Sequence, residues 1–238
     1  MDYVKKGSKE RGDVRIVSSD ARNKYIRRLA MELINRIPAE NYVSDPMDHG
    51  IAFEGHARRA YAARYDCMID KTGFVLHPTL DLMGASPDGL AIPKGAEAPT
   101  HVTEFKCPSY DTYLKYMDTG ILEEKYVLQV QCERLCCELT YGDLVAFYAP
   151  DPNLAMPYIP ERFRMITRRI EIDSKVDRKM EEAAIQAMKE ATDKVAEWME
   201  KFPEIAGEQP PDDEAPPADL NDYAGPAYDF LDAADLTP

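Results

Sequence analysis

Asp88, Glu104 and Lys106 are the side chains in this sequence whose types and spacing suit phosphate chemistry. They lie in residues 83–107: Met83-Gly84-Ala85-Ser86-Pro87-Asp88-Gly89-Leu90, a short loop, then Val102-Thr103-Glu104-Phe105-Lys106-Cys107. Successive side chains of a strand point to opposite faces, so Glu104 and Lys106 share one face and Phe105 points the other way, into a core. Asp88, between Ser-Pro and Gly, is expected at a tight turn at the end of a strand. With that turn beside the Glu104 strand, two carboxylates and one ammonium converge. Hard cations such as Mg²⁺ are held by one or two carboxylates plus substrate phosphate. A neighbouring lysine can orient water or neutralise developing charge. The pattern suits a metal-dependent phosphodiesterase centre. A Glu-x-Lys strand by itself is more often a solvated face; the Ser-Pro-Asp-Gly at hairpin distance shifts the balance.

Other residues extend the candidate site. Glu54 lies in Asp48-His49-Gly50-Ile51-Ala52-Phe53-Glu54-Gly55-His56. Glycines cost stability in a helix, and close approach of a backbone or a phosphate would justify Gly50 and Gly55. Glu54 there is either a third acid that positions water or a solvated helix residue. His49 and His56 are left out, because a hard cation prefers oxygen ligands. Gln129 and Gln131, in Leu128-Gln129-Val130-Gln131-Cys132, are either phosphate- or water-binding amides or partly exposed ones. Cys132, Cys136 and Cys137 are bunched on one helix, which suits apolar packing; no iron–sulfur cluster is expected.

These groups need a scaffold. Helical apolar spacing predicts a helix over about 20–36, capped by Ser19 or Asp20, with Tyr25, Ile26, Leu29, Ala30, Leu33, Ile34 and Ile37 as its buried stripe. A second helix is expected over roughly 47–66. Short strands near 73–77 and 80–85 follow, then a loop tip at Ile92-Pro93-Lys94-Gly95-Ala96 and a strand over 102–107 stopped by Pro108. Helices over 110–118 and 123–140, strands over 143–149 and 165–172, and a long helix over 174–202 complete the pattern. The order α–α–β–β–β–α–α–β–β–α predicts an α/β (α+β) fold, a central mixed β-sheet flanked by helices.

A chain of 238 residues allows one domain with appendages. We expect a basic N-terminal segment over 1–18, a catalytic domain over 19–202 and a Pro-rich acidic tail over 203–238, which is too polar to offset its ordering entropy. The net charge of −14 is uneven: ten of the 43 acids and none of the 29 bases fall in 203–238, leaving −4 on residues 1–202. Bases are richest near the start, from Lys5 to Arg28; they are either a nucleic-acid contact or a solvated helix face. No apolar run reaches the roughly 18–20 residues of a membrane helix. No apolar segment backs Met1-Asp2-Tyr3-Val4-Lys5-Lys6, so no secretory signal is expected. Five irregularly spaced cysteines suit reduced thiols in a cytoplasm.

Taken together, Gly50-x-x-x-Glu54, Gly84-Ala85-Ser86-Pro87-Asp88-Gly89-Leu90, Glu104-Phe105-Lys106-Cys107-Pro108 and Gln129-Val130-Gln131 resemble the phage lambda-type exonuclease (viral recombinase) branch of the PD-(D/E)XK nucleases. The similarity runs from about residue 47 to 150 and more loosely to 202. It implies a PD-(D/E)XK, restriction-endonuclease-like core and Mg²⁺-dependent (or Mn²⁺-supported) two-metal hydrolysis of DNA. It implies 5′→3′ resection of one strand from double-stranded ends, for recombination by single-strand annealing. By that resemblance Asp88, Glu104 and the Phe105 carbonyl bind metal, Lys106 and Glu54 orient the water, and Gln129 supports the site. It further implies a ring-shaped homotrimer and a single-strand annealing protein as partner. In the family a Trp precedes an Arg-x-Gly-x-Ile/Val-Thr-Ala-Ser segment that holds the 5′-phosphate. The nearest match here is Arg15-Ile16-Val17-Ser18-Ser19, without the Trp. Ser19 matches the last position, and either Arg11 or Arg15 the first. Two other classes share the pattern: a non-catalytic DNA-end-binding or partner-loading module, and an endonuclease on the same fold.

Overall fold

In a computed structural model, which describes residues 2–3, 14–15, 18–36, 45–80, 83–120, 123–149 and 157–203, the chain opens with β1 (Asp2–Tyr3), β2 (Val14–Arg15), α1 (Asp20–Asn35) and α2 (Asp45–Tyr65). The side chains of 2–3, 14–15 and 45–51 are not among those described. There follow β3 (Cys67–Asp70), β4 (Val75–Leu76), β5 (Gly84–Ala85), β6 (Gly89–Pro93) and β7 (His101–Lys106). Then come α3 (Tyr110–Thr119), α4 (Glu124–Cys136), β8 (Tyr141–Phe147), β9 (Met165–Glu171) and α5 (Ser174–Lys201). The elements group into two units, one within Val43–Asp173 and one within Met1–Tyr42 and Ser174–Pro238.

The second of these is helical. The Ser19 Oγ accepts the Arg22 N–H at 3.1 Å and caps α1. Its periodic apolar stripe buries Ile26 and Ala30 against Ala191 of α5, with Ala187, Val195 and Trp198 packed around them. Arg22 and Glu190 form an ion pair across the two helices.

The other unit is a five-stranded mixed sheet in the order β3-β6-β7-β8-β9. Only β7 and β8 are parallel; the remaining pairs are antiparallel. The parallel pair is joined through α3 and α4, the helical crossover that parallel strands require. Pleating divides β7 between the two faces. Val102 shares a core with Leu144, Ala146, Val130, Tyr113 and Tyr116. Phe105 packs on the other face with Val145, Ala57 and Tyr61 of α2. Helices therefore cover both faces, and the central strands are buried nearly throughout, which explains the continuous Leu144-Val145-Ala146 run. The Tyr61 hydroxyl donates to Asp143 Oδ2 at 2.5 Å and lies 3.0 Å from His101 Nε2, tying α2 to the sheet. Asp143 also accepts from Arg169 at 3.0 Å.

Two local expectations are corrected. β6 pairs with β3 through Ile92 and Met68, so the loop tip is Lys94–Gly95, where Gly95 takes φ 86°, and not Ile92–Ala96. Pro93 ends β6 without breaking it. The expected strands at 73–77 and 80–85 reduce to β4 and β5, a two-residue ladder apart from the main sheet, while Cys67–Asp70 forms an unforeseen edge strand. Met68 is exposed there, as one side of an edge strand permits.

Candidate active site

Glu104 sits in the middle of β7 with its carboxyl almost wholly buried. Its Oε1 accepts from Lys106 Nζ at 2.7 Å and from Gln129 Nε2 at 2.8 Å. Its Oε2 is buried and has no hydrogen-bond partner among the described residues. Lys106 comes from the same strand face, two residues on, and its ammonium also lies 4.5 Å from the centroid of the Tyr126 ring.

Asp88 arrives from the neighbouring strand. Gly89 pairs with Thr103, so Asp88, at the bend just before β6, lies beside Glu104. It thus begins a strand where the end of one was expected. Its Oδ2 accepts the Phe105 N–H at 2.7 Å. A side chain at position 89 is excluded, since a Cβ there would lie 2.3 Å from Ile69 Cγ2 and 3.0 Å from Thr103 Oγ1. α2 supplies Glu54, which pairs with Arg58 one turn on; Arg58 also donates to the Asp88 carbonyl at 3.0 Å. The nearest atom to a Cβ at Gly55 would be the tip of Arg59 at 3.7 Å, so no close backbone approach explains that glycine.

α4 brings Gln129, and with it a residue that sequence reasoning missed. Gln129 Nε2 donates to Glu133 Oε1 at 3.0 Å as well as to Glu104. Glu133 is 1 % exposed. Its one legible signal was the i, i+4 spacing from Gln129; an acid on a helix is otherwise taken for a solvated residue. Gln131 faces away and donates to the Glu171 carbonyl at 2.9 Å. α4 can approach because β8 carries Gly142, where a Cβ would fall 2.4 Å from Val130 Cγ1 and 2.5 Å from Val102 Cγ2.

The electrostatics follow from crowding acids away from water. Burial, then Glu104 and Glu54, hold the Asp88 carboxyl well above the usual range. Burial and then Glu104 do the same to Glu133. Burial pulls Lys106 down, but Glu104 and Asp88 outweigh it and hold the ammonium above the ordinary lysine value. The Cys107 thiol is pushed up to about 12 by burial, with Asp88 and Glu54 adding to it, so it is inert.

Three buried or half-buried acids around one ammonium, with an orphaned Glu104 oxygen, are what a divalent cation would relieve. Among the described residues no three His, Cys, Asp or Glu side chains are arranged to hold a metal by themselves. The Asp88 and Glu104 carboxylates nevertheless make an all-oxygen, partial donor set, the kind Mg²⁺ completes with water and phosphate. The residues fit such an ion.

Of the expected residues, Glu54, Asp88, Glu104, Lys106 and Gln129 thus come together. Of the N-terminal candidates, Ser19 belongs to the helical unit. Ser19 is engaged as the α1 cap. Arg11 and the Arg15 side chain lie outside the described residues, as does the tail beyond 203. His56 is exposed.

The family model of the YqaJ-like viral recombinase domain matches residues 14–138, a span holding every residue of the cluster. No curated protein matches the chain. Among solved structures, an alkaline exonuclease from Laribacter hongkongensis matches at 24 % identity and a TM-score of 0.66, over 80 % of this chain and 89 % of that one. Its complex with dAMP gives the same identity and TM-score over 79 % and 88 %. A phage-related exonuclease from Haemophilus somnus matches at 17 % identity and a TM-score of 0.56, over 76 % and 85 %. These likenesses show the fold.

Proposed function

The chain belongs to the YqaJ-like viral recombinase family, the phage lambda-type exonuclease branch of the PD-(D/E)XK nucleases, and we propose that it is a divalent-cation-dependent deoxyribonuclease that resects linear duplex DNA. The observation that carries this is the convergence of Asp88, Glu104, Lys106 and Gln129 around a buried carboxylate oxygen that has no hydrogen-bond partner among the described residues. A bound Mg²⁺ would supply Lewis-acid polarisation of the scissile phosphate and lower the pKa of the attacking water. Asp88, Glu104 and the Phe105 carbonyl would hold it. Lys106, kept protonated by its acidic neighbours, donates to the water or to the phosphate oxygens. Glu54, anchored by Arg58, is the second group that positions water. Gln129 keeps the Glu104 carboxylate in one orientation. By family likeness the resection runs 5′→3′ and feeds single-strand annealing. The same likeness suggests a trimeric ring, an annealing protein as partner, the cytoplasm as site of action, and contact of the DNA end by Ser19 with Arg11 or Arg15. Among the described residues no helix is long and apolar enough to cross a membrane.

The test is digestion by the full chain of linear duplex labelled in turn at each end of each strand, with Mg²⁺ or with chelator. Stepwise, Mg²⁺-dependent loss from 5′ ends, with covalently closed circles untouched, is expected. Cleavage of the circle would support an endonuclease. End binding without hydrolysis would support a loading module and overturn the proposal.

A further inference from the structure

Glu133 is buried and forms no ion pair among the described residues, and neither composition nor the family pattern accounts for it. Its Oε1 accepts one hydrogen of the Gln129 amide at 3.0 Å, its carboxyl also meets that of Glu104, and no N–H or O–H donor among the described residues reaches its buried Oε2. The other hydrogen of the same amide goes to Glu104 Oε1 at 2.8 Å. An amide nitrogen has two hydrogens, so the two carboxyl groups use both and settle which end of Gln129 faces Glu104. A buried acid whose described partners are the site residues Gln129 and Glu104 is costly to keep, which argues for work done at the site.

We propose that Glu133 is a positioning residue: by holding one amide hydrogen of Gln129 it aims the other at Glu104 Oε1, leaving Glu104 Oε2 open toward a divalent cation. Gln129 donors shared in this way cannot swing across to cap Oε2. Without the acceptor at 133, the amide is free to rotate and to engage both Glu104 oxygens, in competition with the ion. Outer partners that orient metal-binding carboxylates typically contribute about 10- to 100-fold to affinity. The inference rests on the cation-binding role of Glu104 proposed above.

The experiment is Mn²⁺ titration of the full chain by calorimetry, with thermal melts alongside. Glu133→Met keeps the side-chain length, removes the acceptor and suits an apolar surrounding. It is expected to weaken Mn²⁺ binding about tenfold without lowering the metal-free Tm. In a Gln129→Ala background the same substitution should change affinity less than about twofold, because its effect runs through Gln129. Affinity unchanged by Glu133→Met, or an equal loss in both backgrounds, overturns the inference while leaving the site assignment standing. Should the Met variant melt early, Glu133→Gln, which keeps an acceptor for Gln129, decides. It should bind Mn²⁺ within about threefold of wild type, and a tenfold loss overturns the inference. A wild-type chain that binds no Mn²⁺ removes the site reading itself, and this inference with it.

Discussion

Lys106→Met separates the two jobs of the ammonium. Lys106 Nζ lies 2.7 Å from Glu104 Oε1, with side-chain exposures of 25 % and 3 %. Stranding one member of a fully buried ion pair costs about 3–5 kcal/mol. Lys106 is a quarter exposed and Gln129 still donates to Glu104, so a cost of about 1–3 kcal/mol is expected. In a chain of this size that lowers Tm by roughly 2–12 °C. Methionine preserves the stem beside the Tyr126 ring, so lost packing adds little. A divalent cation at Glu104 replaces the missing positive charge, so saturating Mn²⁺ should recover most of the Tm. Turnover should not recover, because the group that orients water or phosphate is gone; a loss of about 100- to 10,000-fold is expected. Thermal melts with Mn²⁺ or chelator, paired with release of labelled nucleotides from linear duplex, check both halves. Digestion at the wild-type rate refutes the chemical role. A Tm deficit that Mn²⁺ fails to narrow refutes the charge balance.

Asp88 predicts a pH dependence. Its carboxyl is raised by burial, then by Glu104 and Glu54, so the folded chain keeps a proton that the unfolded chain releases. That stability is complete below the unfolded carboxyl value, about 4, and is lost as pH rises through the raised folded value. Metal-free wild type should therefore fall progressively below Asp88→Asn in Tm as pH rises above about 4, and a pH-independent gap would count against the assignment. Gly142→Ala puts a Cβ 2.4 Å from Val130 Cγ1 and 2.5 Å from Val102 Cγ2. It should cost about 1–3 kcal/mol in urea unfolding and reduce nuclease activity by moving α4; an unchanged midpoint would show that the helix yields freely.

The cluster was legible where it depends on residues close in sequence. Glu104 and Lys106 share a face through pleating alone, and Ser-Pro-Asp-Gly marks Asp88 as a strand-edge acid. The helices were legible too, because α1 and α5 carry long apolar stripes and α1 has a Ser19 cap. Short elements were not. Cys67–Asp70 offers four residues of mixed polarity, and Gly89–Pro93 looks like punctuation until its partners Met68 and Thr103 are known. Glu133 escaped for a related reason: helical spacing tells which residues are neighbours, but only the sheet tells which helix face is buried. The close approach that buries it depends on Gly142 in a different strand.

Register is what converts this fold into a site. Gly89 opposite Thr103 sets Asp88 beside Glu104, and Val102 opposite Gly142 lets α4 descend on the same face. A slip of one residue in β7 would turn Glu104 and Lys106 toward α2 and bring Phe105 into the site. Such a slip would also place a charged pair in the Phe105–Tyr61–Val145 core and an aromatic ring against Gln129. The cost of both errors is what holds the acids in place against their mutual repulsion. The Lys106 ion pair and the hydrogen bonds from Gln129 and the Phe105 N–H offset part of that repulsion, and the remaining demand for positive charge is what a cation would satisfy.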